Sequence, residues 1–110
     1  MTTYKIENVE AYEDLEIILS VITYHGSKHI ESFQWQDIDD SYFLLELIQT
    51  VCGDDAGLEA ISGDLTGKYF NAEIEEGSLV NFAKATANDS KEYIELHEKE
   101  LAYKKQLLNK

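Results

Sequence analysis

Three histidines, one cysteine and 22 carboxylates are the side chains of this 110-residue chain with spacing that could do chemistry. His25 and His29 stand four apart, as two zinc ligands on one helix face would. Gly26 between them argues against a continuous helix, and no third ligand is placed by spacing. His97 falls in the apolar arc of a C-terminal helical stretch, where a hydrogen-bonded core or interface histidine is the better expectation than a ligand or base. Cys52 lies inside an apolar run and reads as a small buried hydrophobe. Alone, it can form neither an internal disulfide nor a cysteine-based zinc site.

Asp37, Asp39 and Asp40 begin like a calcium loop, but Tyr42 stands where the sharp turn needs glycine and Ile48 where a bidentate glutamate belongs. Asp54 and Asp55, with Glu59, are explained by the attraction of carboxylates to a helix start. Gly67-Lys68 fails as a phosphate loop, because Ser62 replaces the upstream glycine and Tyr69 follows the lysine. No Gly-x-Ser-x-Gly elbow occurs. No catalytic residue, cofactor or metal site is therefore expected, and the chain reads as a binding protein rather than an enzyme.

Charge is the strongest signal. Nine lysines and no arginine oppose the 22 acids, for a net −13. Such a surface repels nucleic acid, and the missing arginine removes the usual group for bidentate phosphate or base-edge contacts. Residues 1–67 hold 14 acids and two lysines, Lys5 and Lys28, whereas residues 68–110 are almost neutral. That asymmetry suits electrostatically steered capture of a basic protein; solubility alone is the competing explanation.

The elements that must position these groups are read from periodicity. Thr3 to Ile6 suits a short strand. Asn8 can cap a helix to about Tyr24, ended by Gly26, with Tyr12, Leu15, Leu19 and Ile22 as its core stripe. Ile17 and Val21 would then lie on the acidic side, so that end is either buried on both faces or offers an apolar patch, and the β-branched run keeps a strand over residues 17–24 as the alternative. Residues 29–36, with Phe33 and Trp35 two apart, suggest a strand. Asp37, Asp39 or Asp40 caps the clearest helix, in which Leu44, Leu47, Ile48 and Val51 recur at helical spacing before Gly53. Asp54 could open one or two further turns through Leu58 and Ile61.

Lys68 to Ile74 and Leu79 to Ala83 form a hairpin around Glu75-Glu76-Gly77, read as a three-residue loop. The last helix, about Ser90 to Leu108, opens with Asp89 and Glu92 at capping-box spacing and carries an apolar arc that includes Tyr93, Ile94, Leu96, Leu101, Leu107 and Leu108. The fold class expected is α+β, with about three helices packed on a small, mainly antiparallel sheet of three or four strands, in a single acidic domain spanning residues 1–110. The longest apolar run, residues 17–22, is far short of the roughly 18 residues a membrane span requires, and a cytoplasmic location is expected.

In size, acidity and α+β character the chain resembles two groups of small bacterial or phage inhibitors. Immunity proteins neutralise a basic toxin or nuclease domain by direct binding; phage-type DNA mimics block restriction or CRISPR enzymes with carboxylates in place of phosphates. The first is the leading expectation. Its surface is expected at Glu10, Glu13, Asp14, Asp37, Asp39, Asp40, Asp54 and Asp55, with tyrosines, Trp35, Ile17 and Val21 as anchors. A third reading is a structural or assembly protein that dimerises or docks through the C-terminal helix.

Overall fold

A computed structural model describes residues 1–12, 16–57 and 63–109. Five strands and two long helices follow in the order β1 (Thr2–Ala11), β2 (Glu16–Ile22), β3 (Lys28–Gln34), α1 (Ile38–Cys52), β4 (Tyr69–Glu75), β5 (Ser78–Lys84) and α2 (Ala87–Leu108). The strands form one antiparallel sheet in the order β3-β2-β1-β4-β5. The α+β class stands, with five strands rather than three or four and two helices rather than about three among the described residues.

The main correction is at the start of the chain. The helix expected from Asn8 to Tyr24 is instead the second half of β1 and the whole of β2, so the strand alternative for residues 17–24 is the one realised. β2 alternates strictly: Ile17, Leu19 and Val21 are buried, while Ile18, Ser20 and Ile22 face the other side. β1 hides its alternation behind a bulge. Ile6 pairs with Val21 and Asn8 with Ser20, which leaves Glu7 as an extra residue. Because the side-chain period of a strand is two, the bulge moves the inward positions from Tyr4 and Ile6 to Val9, and turns Glu10 outward. The extra turn expected through Leu58 and Ile61 lies outside the described residues.

The β4–β5 hairpin is present but closes more tightly than expected. Glu75 pairs with Ser78, so the loop is the two residues Glu76 and Gly77, both at positive φ (52° and 84°). That is the primed turn whose twist matches paired strands. A second bulge, at Asn81 (φ 56°), lets Leu79 and Phe82, three apart, both reach the core.

Three hairpin-connected strands followed by a fourth that returns beside the first make a Greek key. Here the sheet also curls until its two edges meet. Glu31 Oε1 on β3 accepts a 2.9 Å hydrogen bond from the backbone N–H of Leu79 on β5, and a second, also 2.9 Å, from His29 Nε2. α1 packs over this seam against β3, β4 and β5. The result is a five-stranded, partly open Greek-key barrel, the class to which OB-type domains belong. A chain of aromatic contacts runs through its interior, from Phe33 to Phe43, Phe82, Phe70 and Tyr4, with ring centroids 4.9–5.8 Å apart.

α1 forms as its sequence requires. Asp37 caps it by accepting from the Asp40 N–H, Leu44, Leu47 and Ile48 are buried, and Gly53 ends it at φ 107°. α2 begins earlier than expected, at Ala87. Its capping box is Thr86 with Asp89 rather than Asp89 with Glu92. It lies on the outside of the barrel, with Tyr93 as its buried residue.

Candidate functional site

The barrel's outer wall over β1, β2 and β3 is built in cross-strand rows. Lys5, Ile22 and Lys28 form one row, then Asn8, Ser20 and Ile30, then Glu10, Ile18 and Ser32, and last Glu16 with Gln34. Both lysines of the first two thirds of the chain lie in the first row. Six residues of strand, roughly 20 Å, separate it from the acidic last rows. Among the described residues the wall is thus graded from mixed charge near α2 to acidic charge at the end that holds Glu10 and Glu16.

Hydrogen bonds hold the carboxylates of that acidic end in place. Glu10 accepts from Asn8 Nδ2 (3.0 Å) and from the hydroxyl of Tyr12. Glu16 accepts from Ser32 Oγ at 2.7 Å. The start of α1 joins the same end, since the Gln34 N–H donates to Asp40 Oδ2 (2.7 Å) and the Asp37 N–H to the Gln34 carbonyl (3.0 Å). Glu10, Glu16, Asp37, Asp39 and Asp40 therefore share one end of the molecule.

Apolar groups lie among them. Tyr12 is 51% exposed and Ile38 and Tyr42 on the first turns of α1 are 70% and 68% exposed, while Ile30, 64% exposed, stands further along the wall, two residues from Lys28. Ile18 is half-buried in the middle of the wall. A surface of this make-up combines charge for long-range attraction with isoleucine and tyrosine side chains that can be desolvated on contact.

Several expected roles change. Asp54 and Asp55 follow the C-terminal end of α1, whose 15 residues, about 22 Å of helix, separate them from Asp37, and so do not join the cluster. Glu13 and Asp14 lie outside the described residues. The Asp37 carboxylate caps α1 and that of Asp40 fastens the helix to β3, which leaves Asp39 as the exposed carboxylate of that group with no such duty among the described contacts. Ile17 and Val21, expected as anchors, are core residues at 3% and 0% exposure. Tyr12, expected in the core, is outside. Glu16, Ile18, Ile30 and Ile38 were missed as site residues. Strict alternation through residues 16–22 was the signal that could have placed Ile18 on the outer wall.

Among the described residues no group of three or more His, Cys, Asp and Glu side chains is placed to hold a metal ion. His25 belongs to the β2–β3 turn, bonded to Ser27 Oγ (3.0 Å), whereas His29 pairs with Glu31 at the seam. His97 Nδ1 donates to the Tyr24 carbonyl at 3.0 Å, which ties α2 to the same turn. Cys52 is exposed, contrary to the buried role expected of it. Burial of part of its surface, followed by the charge of nearby Asp64, raises its thiol pKa, away from the reactive thiolate. No helix among the described residues is long and apolar enough to cross a membrane.

Comparison with family models, with curated proteins and with solved structures found no match to this chain.

Proposed function

We propose that this chain is an acidic protein-binding inhibitor that captures a basic partner, a toxin or nucleic-acid enzyme, on the acidic end of the β1–β3 wall. The observation that carries this reading is the coincidence of exposed Tyr12, Ile38 and Tyr42 with Glu10, Glu16 and Asp39, at an end with no lysine among its described residues, with Ile30 exposed further along the same wall. Partly open barrels of this class bind extended ligands on the outer face of strands 2 and 3. The same face here carries the opposite charge from one that would hold a nucleic acid, so a cationic protein is the fitting ligand. This is an argument from the site, to which the architecture adds only analogy.

The test begins with affinity capture from the native lysate at low and at high salt, with mass spectrometry of what is held. One stoichiometric basic protein that survives high salt is expected. Its association rate should then fall about tenfold at low salt when Glu10, Glu16 and Asp39 are reversed to lysine, and much less at high salt, where the Debye length shrinks. Ile30→Ala should act instead on dissociation. Association unchanged by the triple reversal would remove this face from the interaction.

A further inference from the structure

We propose that α2 pairs antiparallel with α2 of a second copy of this chain, about a two-fold axis passing beside Leu101. Ile94, Leu101 and Leu108 recur every seven residues and are 44%, 46% and 84% exposed. Seven residues advance a helix by only about 20° short of two full turns, so the three side chains form one line along its side. That line is distinct from the stripe of Asp89, Tyr93 and Leu96. Tyr93 and Asp89 of that stripe bind the barrel through the Ile22 carbonyl (2.9 Å) and Asn71 Nδ2 (3.0 Å). The exposed line can therefore be covered without unseating α2.

Charge identifies the occupant. Residues 87–98 carry Asp89, Glu92, Glu95 and Glu98 against Lys91, whereas residues 99–108 carry Lys99, Lys104 and Lys105 against Glu100. A parallel pair would set like charge on like. An antiparallel pair centred on Leu101 sets residues 94–98 of each helix, with Glu95 and Glu98, against residues 104–108 of the other, with Lys104 and Lys105, so the complement of this stretch is the helix itself.

The apolar line has the same symmetry. With the axis beside Leu101, Ile94 meets Leu108 of the second copy and Leu101 meets its own equivalent, as an isologous interface requires. Glu98 and Lys105 lie on the same flank of the line. In this register each Glu98 comes opposite Lys105 of the other copy, one helical residue from perfect alignment.

Sedimentation over about 1 to 100 μM is expected to show a monomer–dimer equilibrium that weakens as salt is raised. Leu101→Asp sets two carboxylates face to face at the axis and should raise the dimer Kd at least about tenfold, with far-UV circular dichroism and Tm of the monomer unchanged. Glu98→Lys and Lys105→Glu should each weaken the dimer, and the two together should restore it. A monomer at every concentration, a dimer indifferent to Leu101→Asp, or a charge exchange that fails to rescue would overturn the proposal. The inference stands apart from capture of a basic partner: a strictly monomeric chain that still binds one would sink the pairing of α2 and leave the acidic face intact.

Discussion

α1 and α2 both start at side-chain caps, yet one is held from several sides and the other mainly along a single stripe. α1 sets Leu44, Leu47 and Ile48 into the barrel, places Phe43 between Phe33 and Phe82, and covers the seam between β3 and β5. α2 buries Tyr93 and leaves every described residue from Leu101 onward exposed. An element held from several sides belongs to the fold. A 22-residue helix held at its first half has surface left over for another molecule. The two ends of the barrel wall differ in the same way, since the end near α2 mixes lysine with glutamate and the far end is acidic around exposed isoleucine and tyrosine.

The contrast can be broken most severely at α1. Leu47→Ala empties a fully buried position and should cost about 2–5 kcal/mol, read as a cooperative loss of β-sheet and helix signals together in denaturant unfolding. If the sheet signal persisted while helix was lost, α1 would be an accessory and not the closure of the barrel.

Next in size is the seam. Glu31→Ala leaves the Leu79 N–H without its acceptor and should cost about 1–3 kcal/mol, with faster amide exchange concentrated at Leu79 and its neighbours on β5. Exchange unchanged at Leu79 would mean that the two edges are held by α1 alone.

A smaller effect is expected at the seat of α2. Tyr93→Phe removes the hydrogen bond to the Ile22 carbonyl and should cost about 1 kcal/mol, seen as faster amide exchange in the first half of α2 with the barrel unaffected. Burial first, then the neighbouring Tyr69 and Glu7, pushes the Tyr93 phenol up to about 12 from its ordinary 10. The protonated form is the one the folded state prefers. Its contribution is complete below about pH 10 and is lost as pH rises towards 12. An ultraviolet titration of Tyr93→Phe should lose the latest-ionising part of the tyrosine signal.

Asp89 works in the opposite sense. The Thr86 backbone N–H, then Asn71 and the Thr86 side chain, hold its carboxyl below the usual range. Its support of the start of α2 is present above about pH 4 and fades as pH falls through its lowered pKa. Acid should therefore loosen α2 less in Asp89→Asn, which starts without that carboxylate. The smallest effect of all is on folding by Leu101→Asp, which should leave monomer stability within about 0.5 kcal/mol while changing association.

The sequence was most legible where local rules suffice. α1 could be read from a cap, a helical repeat of leucine and isoleucine and a terminating glycine. The β4–β5 hairpin could be read from alternation and Gly77, although the loop length was not. The acidic residues near Asp37 could be singled out from spacing, but their division into fasteners and an exposed carboxylate was not visible. Residues 8–24 misled for a definite reason: Tyr12, Leu15, Leu19 and Ile22 recur at helical spacing, although Leu19 is core, Tyr12 is exposed and Ile22 faces away from Leu19 on β2.

By itself the sequence determined the charge and its asymmetry, the missing arginine, the caps of both helices to within a turn and the hairpin glycine. These follow from residue type or from contacts a few positions apart. Only the tertiary structure decided that residues 7–11 and 16–22 are strands, that Ile17 and Val21 are core while Ile18 and Ile30 face out, and that Asp54 and Asp55 are carried away from Asp37. Strand pairing, bulges and the closure of one sheet edge on another join residues as distant as Glu31 and Leu79. No local period records such a partner.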